Sequence, residues 1–88
     1  MLLYVCAARD RATEAFARPF YVSRPAEAIR SFQDEVQRKP SDGQFNQLNA
    51  HPTDFELWQL ATWDDNSGEF KMQPERLARA EDFHFGKD

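Results

Sequence analysis

The sequence predicts an α+β fold: a small, mainly antiparallel four-stranded sheet with one helix on one face, in the order β-β-α-β-β. Three observations predict it. Leu2–Ala8 is an apolar, β-capable run. A Pro-led segment from Pro25 carries apolar side chains at helical spacing. His51–Phe70 reads as a Pro-initiated turn, an aromatic-rich strand, a polar turn closing on Gly68 and a returning strand. Periods near 2 and near 3.6 separate the strands from the helix.

Taken in order, Leu2–Ala8 is read as a central strand that Arg9-Asp10-Arg11 interrupts. Thr13–Ala17 is a short connection able to begin a hairpin, and Ala17–Ser23 reads as the second strand. Pro19 has no N–H for a ladder, so this strand lies at an edge or starts only after the proline. Pro25 suits a first helical turn, where its missing N–H costs nothing. Ser23 or Arg24 is the expected cap, and Glu27 places negative charge at the helix N-terminus. Ala28, Ile29, Phe32 and Val36 form a narrow core-facing stripe. Glu27 with Arg30, Asp34 with Arg38 and Glu35 with Lys39 are spaced to pair on the outer face. Pro40 ends the helix.

Ser41–Ala50 is read as a loop pinned by Phe45 and Leu48, and Pro52-Thr53-Asp54 as one helical turn. In Phe55–Trp63, simple alternation puts Leu57, Ala61 and Trp63 on one face and Trp58, Leu60 and Thr62 on the other. Large apolar groups on both sides predict a central strand covered on both faces. Asp64–Gly68 closes a hairpin, Glu69–Met72 returns, and Pro74 stops the strand. Glu75–Asp82 is expected as a short charged helix or loop, with Phe83 and Phe85 docking back. The 88 residues make one domain, residues 1–88, of which 73–88 read as a loosely packed tail.

A chain this short buries only roughly 60–65% of its unfolded surface, so its core is thin. Its twelve aromatic residues can supply that core with few elements. A single sheet with one helix leaves a second face, and aromatic groups there need a partner; a homodimer is the simplest. The single Cys6 excludes an internal disulfide. Met1–Ala8 lacks a basic flank and reads as a strand rather than a signal. No run approaches the ~20 apolar residues that span a bilayer, so no membrane partner is expected and the chain reads as cytosolic.

The net charge of −4 argues against a protein devoted to coating nucleic acid. The halves differ, however. Residues 1–44 hold seven basic and six acidic side chains, and residues 45–88 hold four and nine. A local cationic surface on an acidic protein is therefore possible. Asp64-Asp65-Asn66-Ser67-Gly68-Glu69 fails the spacing of a calcium loop and reads as a plain turn. Cys6, His51 and His84 are scattered, without a local motif and too few for structural zinc. No catalytic residue, cofactor or metal is expected, and the chain is not read as an enzyme. The set that remains is Arg9, Arg11, Arg18, Tyr21 and Arg24, beside Phe20. Cations interleaved with aromatic platforms suit single-stranded nucleic acid. Packing of Phe20 and Tyr21 at an edge strand, with arginines solvating the rim, is the plainer reading. Arg30 is fenced by helix acids.

Four blocks carry a family resemblance: R-A-T-E-A-F-A-R-P-F (Arg11–Phe20), A-E-A-I-R-S-F (Ala26–Phe32), Phe45–Phe70 and L-A-R-A-E-D-F (Leu77–Phe83). Together they resemble the small non-structural protein of gokushoviruses, single-stranded-DNA phages of the Microviridae. The resemblance implies a non-structural phage accessory protein in the host cytoplasm that assists viral DNA replication or packaging. It carries over no catalytic residue. On this reading Arg9, Arg11, Arg18 and Arg24 neutralise phosphates of single-stranded DNA and Tyr21 stacks on a base. The alternative is a protein–protein adaptor that binds a viral or host replication protein through a sheet face or edge strand.

Overall fold

The computed structural model describes residues 1–40 and 46–83. Its strands are β1 (Leu2–Asp10), β2 (Ala15–Phe16), β3 (Phe20–Val22), β4 (Phe55–Asp64) and β5 (Phe70–Arg79). Helix α1 spans Pro25–Gln37 and the short α2 spans Gln47–Ala50. Single 3-10 turns cover Pro52–Asp54 and Ala80–Phe83. The fold is α+β with an antiparallel sheet, as the sequence pattern predicts. The sheet has five strands because the second strand is divided: β2 and β3 both pair with β1, which pairs with β4, which pairs with β5.

Pro19 explains the division. Phe16 faces Arg9 and Phe20 faces Cys6, so Ala17, Arg18 and Pro19 stand against only Ala7 and Ala8. The extra residue bulges at the proline, which has no N–H for the ladder. Ala17 still donates its N–H to the Ala8 carbonyl at 2.8 Å. β1 runs to Asp10, beyond the expected break at Arg9. Asp10 then closes the tight turn by accepting from the Ala12 N–H at 2.9 Å. Glu14 completes that turn in the left-handed region at φ 58°, a conformation that favours glycine.

Helix α1 starts at Pro25 with Arg24 as its cap residue, and no side chain bonds the cap N–H groups. Glu27 instead reaches back past the cap residue to accept from the Ser23 N–H at 3.2 Å. On the outer face Arg38 pairs with Glu35, its Nε at 3.0 Å, rather than with the expected Asp34. The helix ends before Pro40, and two asparagines satisfy its last carbonyls. Asn46 donates to Glu35 O at 2.8 Å and Arg38 O at 2.6 Å, and Asn49 donates to Val36 O at 2.8 Å. Asn46 Oδ1 also accepts from Leu48 N and Asn49 N, so one buried side chain ends α1 and starts α2. Phe45 lies outside the described residues. Leu48 packs on the core as expected.

Ala28, Phe32 and Val36 of α1 meet Cys6, Leu57 and Ala80 in the main core. Ile29, Val22, Phe55, Leu77 and Phe83 pack around them. Phe83 meets Phe32 edge-on at 6.5 Å, and its carbonyl accepts from Gln37 Nε2 at 3.1 Å. Thus Ala80–Phe83 docks under the helix.

Two irregularities in β4 and β5 decide what faces the other way. Val5 pairs with Ala61 but Cys6 pairs with Gln59, so Leu60 is an extra residue. Side chains opposite one another share a face. Tyr4, Cys6 and Ala8 face the helix, and so do Thr62, Gln59 and Leu57 opposite them. Ala61, Trp58 and Trp63 lie opposite Val5, Ala7 and Leu3, on the reverse face. The bulge therefore overturns the expected alternation: Leu57 parts from Ala61 and Trp63, and Trp58 joins them. The second irregularity lies in β5, which does not stop at Pro74 but continues to Arg79. Pro74 falls where Leu60 is bulged and pairs with no β4 residue. An edge strand tolerates a proline there, so residues 75–79 are strand rather than the charged helix or loop expected. Among the described residues, no helix is long and apolar enough to cross a membrane.

Candidate nucleic-acid interface

The reverse face has no helix on it among the described residues. Register places Leu3, Val5, Ala7 and Arg9 of β1 there, with Phe16 of β2 and Tyr21 of β3. β4 contributes Glu56, Trp58, Ala61 and Trp63, and β5 contributes Phe70, Met72, Arg76 and Arg79. Val5, Ala7 and Ala61 are nonetheless buried. Their cover is the aromatic layer itself. Phe16 and Trp58 meet edge-on at 6.3 Å, and Tyr21 meets Trp63 at 5.8 Å. Phe70 lies beside Trp63 at 6.0 Å. Phe16 is 45% exposed, Tyr21 47%, Phe70 57% and Met72 72%, while Trp58 and Trp63 are half-buried. β4 is thus central, but among the described residues a helix covers it on one side only, not on both.

This face has two unlike ends. Trp58 and Trp63 are five residues apart on one strand, about 16 Å at the usual rise. Around Trp63 the face is apolar. Around Trp58 it is cationic. Arg9 lies over the Phe16 ring at 5.8 Å. Glu56 stands between Arg9 on one neighbouring strand and Arg79 on the other. Its carboxylate accepts from Trp58 Nε1 at 3.0 Å and from Arg76 Nη1 at 3.3 Å. Arg79 also approaches Glu81 and Asp82, each at 3.7 Å.

The Trp58 indole N–H, seconded by Arg76 and more distantly by Arg11, holds the Glu56 carboxyl below its ordinary value, against a burial that would raise it. A depressed folded pKa stabilises the protein above the unfolded pKa, and that stabilisation is lost as pH falls through the folded value. Glu56→Gln is therefore expected to lower thermal stability at neutral pH. The gap to the parent should close as pH falls below the ordinary carboxyl value of 4.5. Melts from pH 7 to pH 2 test this; a constant gap contradicts it.

The five residues singled out from sequence are not gathered into one patch. Arg9 and Tyr21 share the open face. Arg11 sits in the β1–β2 turn, where its backbone N–H donates to Asp54 O at 2.7 Å. Arg18 is exposed in the bulge between β2 and β3. Arg24 is the cap residue of α1 and belongs to no strand of the sheet. Sequence reasoning missed Trp58, Trp63, Phe70, Arg76 and Arg79 as companions of Arg9. The available signal was Met72-x-Pro74-x-Arg76, alternation that continues through a proline.

Other titratable groups do not meet here. Cys6 is wholly buried under the helix, and burial pushes its thiol above the ordinary value. His51 follows α2 and donates its backbone N–H to Gln47 O at 2.8 Å. His84 lies outside the described residues. The Asp64–Gly68 turn closes with Gly68 N–H on Asp64 O at 2.7 Å and Asn66 N–H on Asp64 Oδ1 at 2.9 Å. Gly68 adopts φ 79° and supplies the left-handed step.

Fold and face together define a small α+β domain with a sheet face of aromatic and arginine side chains that no described helix covers. The family model described as "Phage ORF5 protein" matches residues 3–83, and the chain belongs to that family. It is a phage protein. Comparison with curated proteins and with solved structures found no match.

Proposed function

We propose that this chain is a non-structural phage accessory protein that binds single-stranded DNA on the open sheet face during viral genome replication or packaging. The observation that carries the reading is the placement of Arg9, Arg76 and Arg79 beside Phe16 and Trp58 on a face that no helix covers among the described residues. Unpaired bases stack on such rings and the phosphates meet the arginines. The earlier resemblance to gokushovirus proteins supports it, because those phages carry single-stranded genomes. Host cytoplasm is the corresponding place of action.

A second copy is a less suitable occupant of the cationic end. Among the described residues the carboxylates at this end are already engaged, Glu56 with Trp58 and Arg76, and Glu81 and Asp82 with Arg79, so a second copy brings more guanidinium charge and no free carboxylate to meet it. Burying charges without partners is costly. A single strand offers one phosphate per nucleotide. The apolar end around Phe70 and Met72 keeps a second reading in play: an adaptor for a viral or host replication protein, or a homodimer contact.

Fluorescence anisotropy with a labelled oligothymidine at low ionic strength tests the proposal. Two or three neutralised phosphates predict a slope of log K against log salt between about −1.4 and −2.1. A flat titration at protein concentrations well above about 10⁻⁴ M, the weak end of non-specific binding, would sink it. Phage function that survives neutralisation of the arginines would favour the adaptor. Light scattering at dimer mass, abolished by Met72→Lys, would assign the apolar end to a second copy.

A further inference from the structure

A buried carboxylate is out of place on a surface for a polyanion, and the contacts of Glu56 account for it. Its side chain is 8% exposed. One oxygen takes the Trp58 indole N–H at 3.0 Å and the other takes one Arg76 N–H at 3.3 Å. The first bond fixes the indole plane, which Phe16 also abuts edge-on at an interplanar angle of 87°. The second fixes the guanidinium, which is 47% exposed and has further N–H donors to offer. One carboxylate thus sets the distance and orientation between a stacking ring and a cation.

We infer that Glu56 is a positioning residue: it holds Trp58 and Arg76 as a subsite for one nucleotide of a single strand, with the base on the indole and its phosphate on the guanidinium. The inference rests on the single-stranded-DNA reading above. It reverses the Coulombic expectation. If Glu56 were only a charge, removing it would tighten binding of a polyanion. As a positioning residue, its removal weakens binding although a repulsion is lost.

The experiment compares the parent, Glu56→Gln and Glu56→Leu with oligothymidine across a salt series, after circular dichroism has established folding. Glu56→Leu is expected to bind about 5- to 10-fold more weakly, within the range for one stacked base. Its salt slope should be shallower by about 0.7, one phosphate contact. Glu56→Gln keeps an acceptor for the indole and should fall between the two. On the parent itself, the Trp58 indole N–H resonance should move on saturation with the oligonucleotide, a readout that survives failure of either variant to fold. Equal or tighter binding by both folded variants, or an unmoved Trp58 resonance while other face residues respond, overturns the positioning role alone. A parent that binds no oligonucleotide overturns the function reading, and this subsite with it.

Discussion

Leu57→Ala is expected to remove about 3 kcal/mol of stability, within the usual ~2–5 kcal/mol for truncating a buried leucine. Leu57 is the largest fully buried side chain among the described residues. It packs in a cluster with Phe32 and Val36 and with Cys6, Ala28 and Ala80, the last three too small to swing into a vacancy. The cost should therefore be a transfer loss plus an unrelaxed cavity. At roughly 0.05–0.15 kcal/mol per residue, a domain of this length holds about 4–13 kcal/mol in all. One substitution thus takes a quarter or more of the total, and the melting temperature should fall by about 12–24 °C. Urea and thermal melts measure it. A loss below about 1 kcal/mol would mean that Leu57 does not face the helix and that the register of β4 is wrong.

The second large effect separates the two ends of the open face. With the DNA strand running the length of the open face, from the cationic end onto the rings around Trp63, Trp63→Ala is expected to weaken oligonucleotide binding by about 1–3 kcal/mol, roughly 5- to 150-fold, with the salt slope unchanged. Arg9→Ala should act the other way: a modest loss at physiological salt, and a slope shallower by about 0.7. The contrast matters because Trp63 also packs between Tyr21 and Phe70, at 5.8 and 6.0 Å. A purely structural Trp63 would lower the melting temperature without changing affinity measured well below it. Equal slopes for Arg9→Ala and the parent would remove the phosphate role from the cationic end.

Much of the architecture was legible in the sequence because it follows from periodicity. The helical stripe Ala28, Phe32 and Val36 is buried as its spacing requires, and Pro25 marks the start of α1. The paired strands around Gly68 follow from turn chemistry. What failed was phase. Period-2 reasoning assumes an uninterrupted ladder, and a single extra residue at Leu60 inverts every assignment beyond it. Nothing in the local composition of Q-L-A-T announces a bulge, because the reason for it lies on the neighbouring strands. Pro74 misled for a similar reason: whether a proline ends a strand depends on whether that strand is an edge, a property of the whole sheet. Arg76 and Arg79 therefore read as part of a short charged helix or loop, and although one sheet with one helix implies a second face, the sequence pattern does not assemble the residues that line it. Arg24 joins Arg9 in the sequence reading as part of an arginine–aromatic set on adjacent strands, but β3 ends at Val22 and Arg24 already caps α1.

Pro74 has a further consequence. β5 is ten residues long and forms the outer edge of the sheet. Such an edge, beside an exposed aromatic face, is a template on which further chains could add strand by strand into a filament. Pro74 has no N–H to offer a newcomer, and the two register shifts opposite β5 spoil the even spacing that a stacked strand needs. The domain can therefore keep a face of open aromatic rings for a ligand while its edge resists polymerisation.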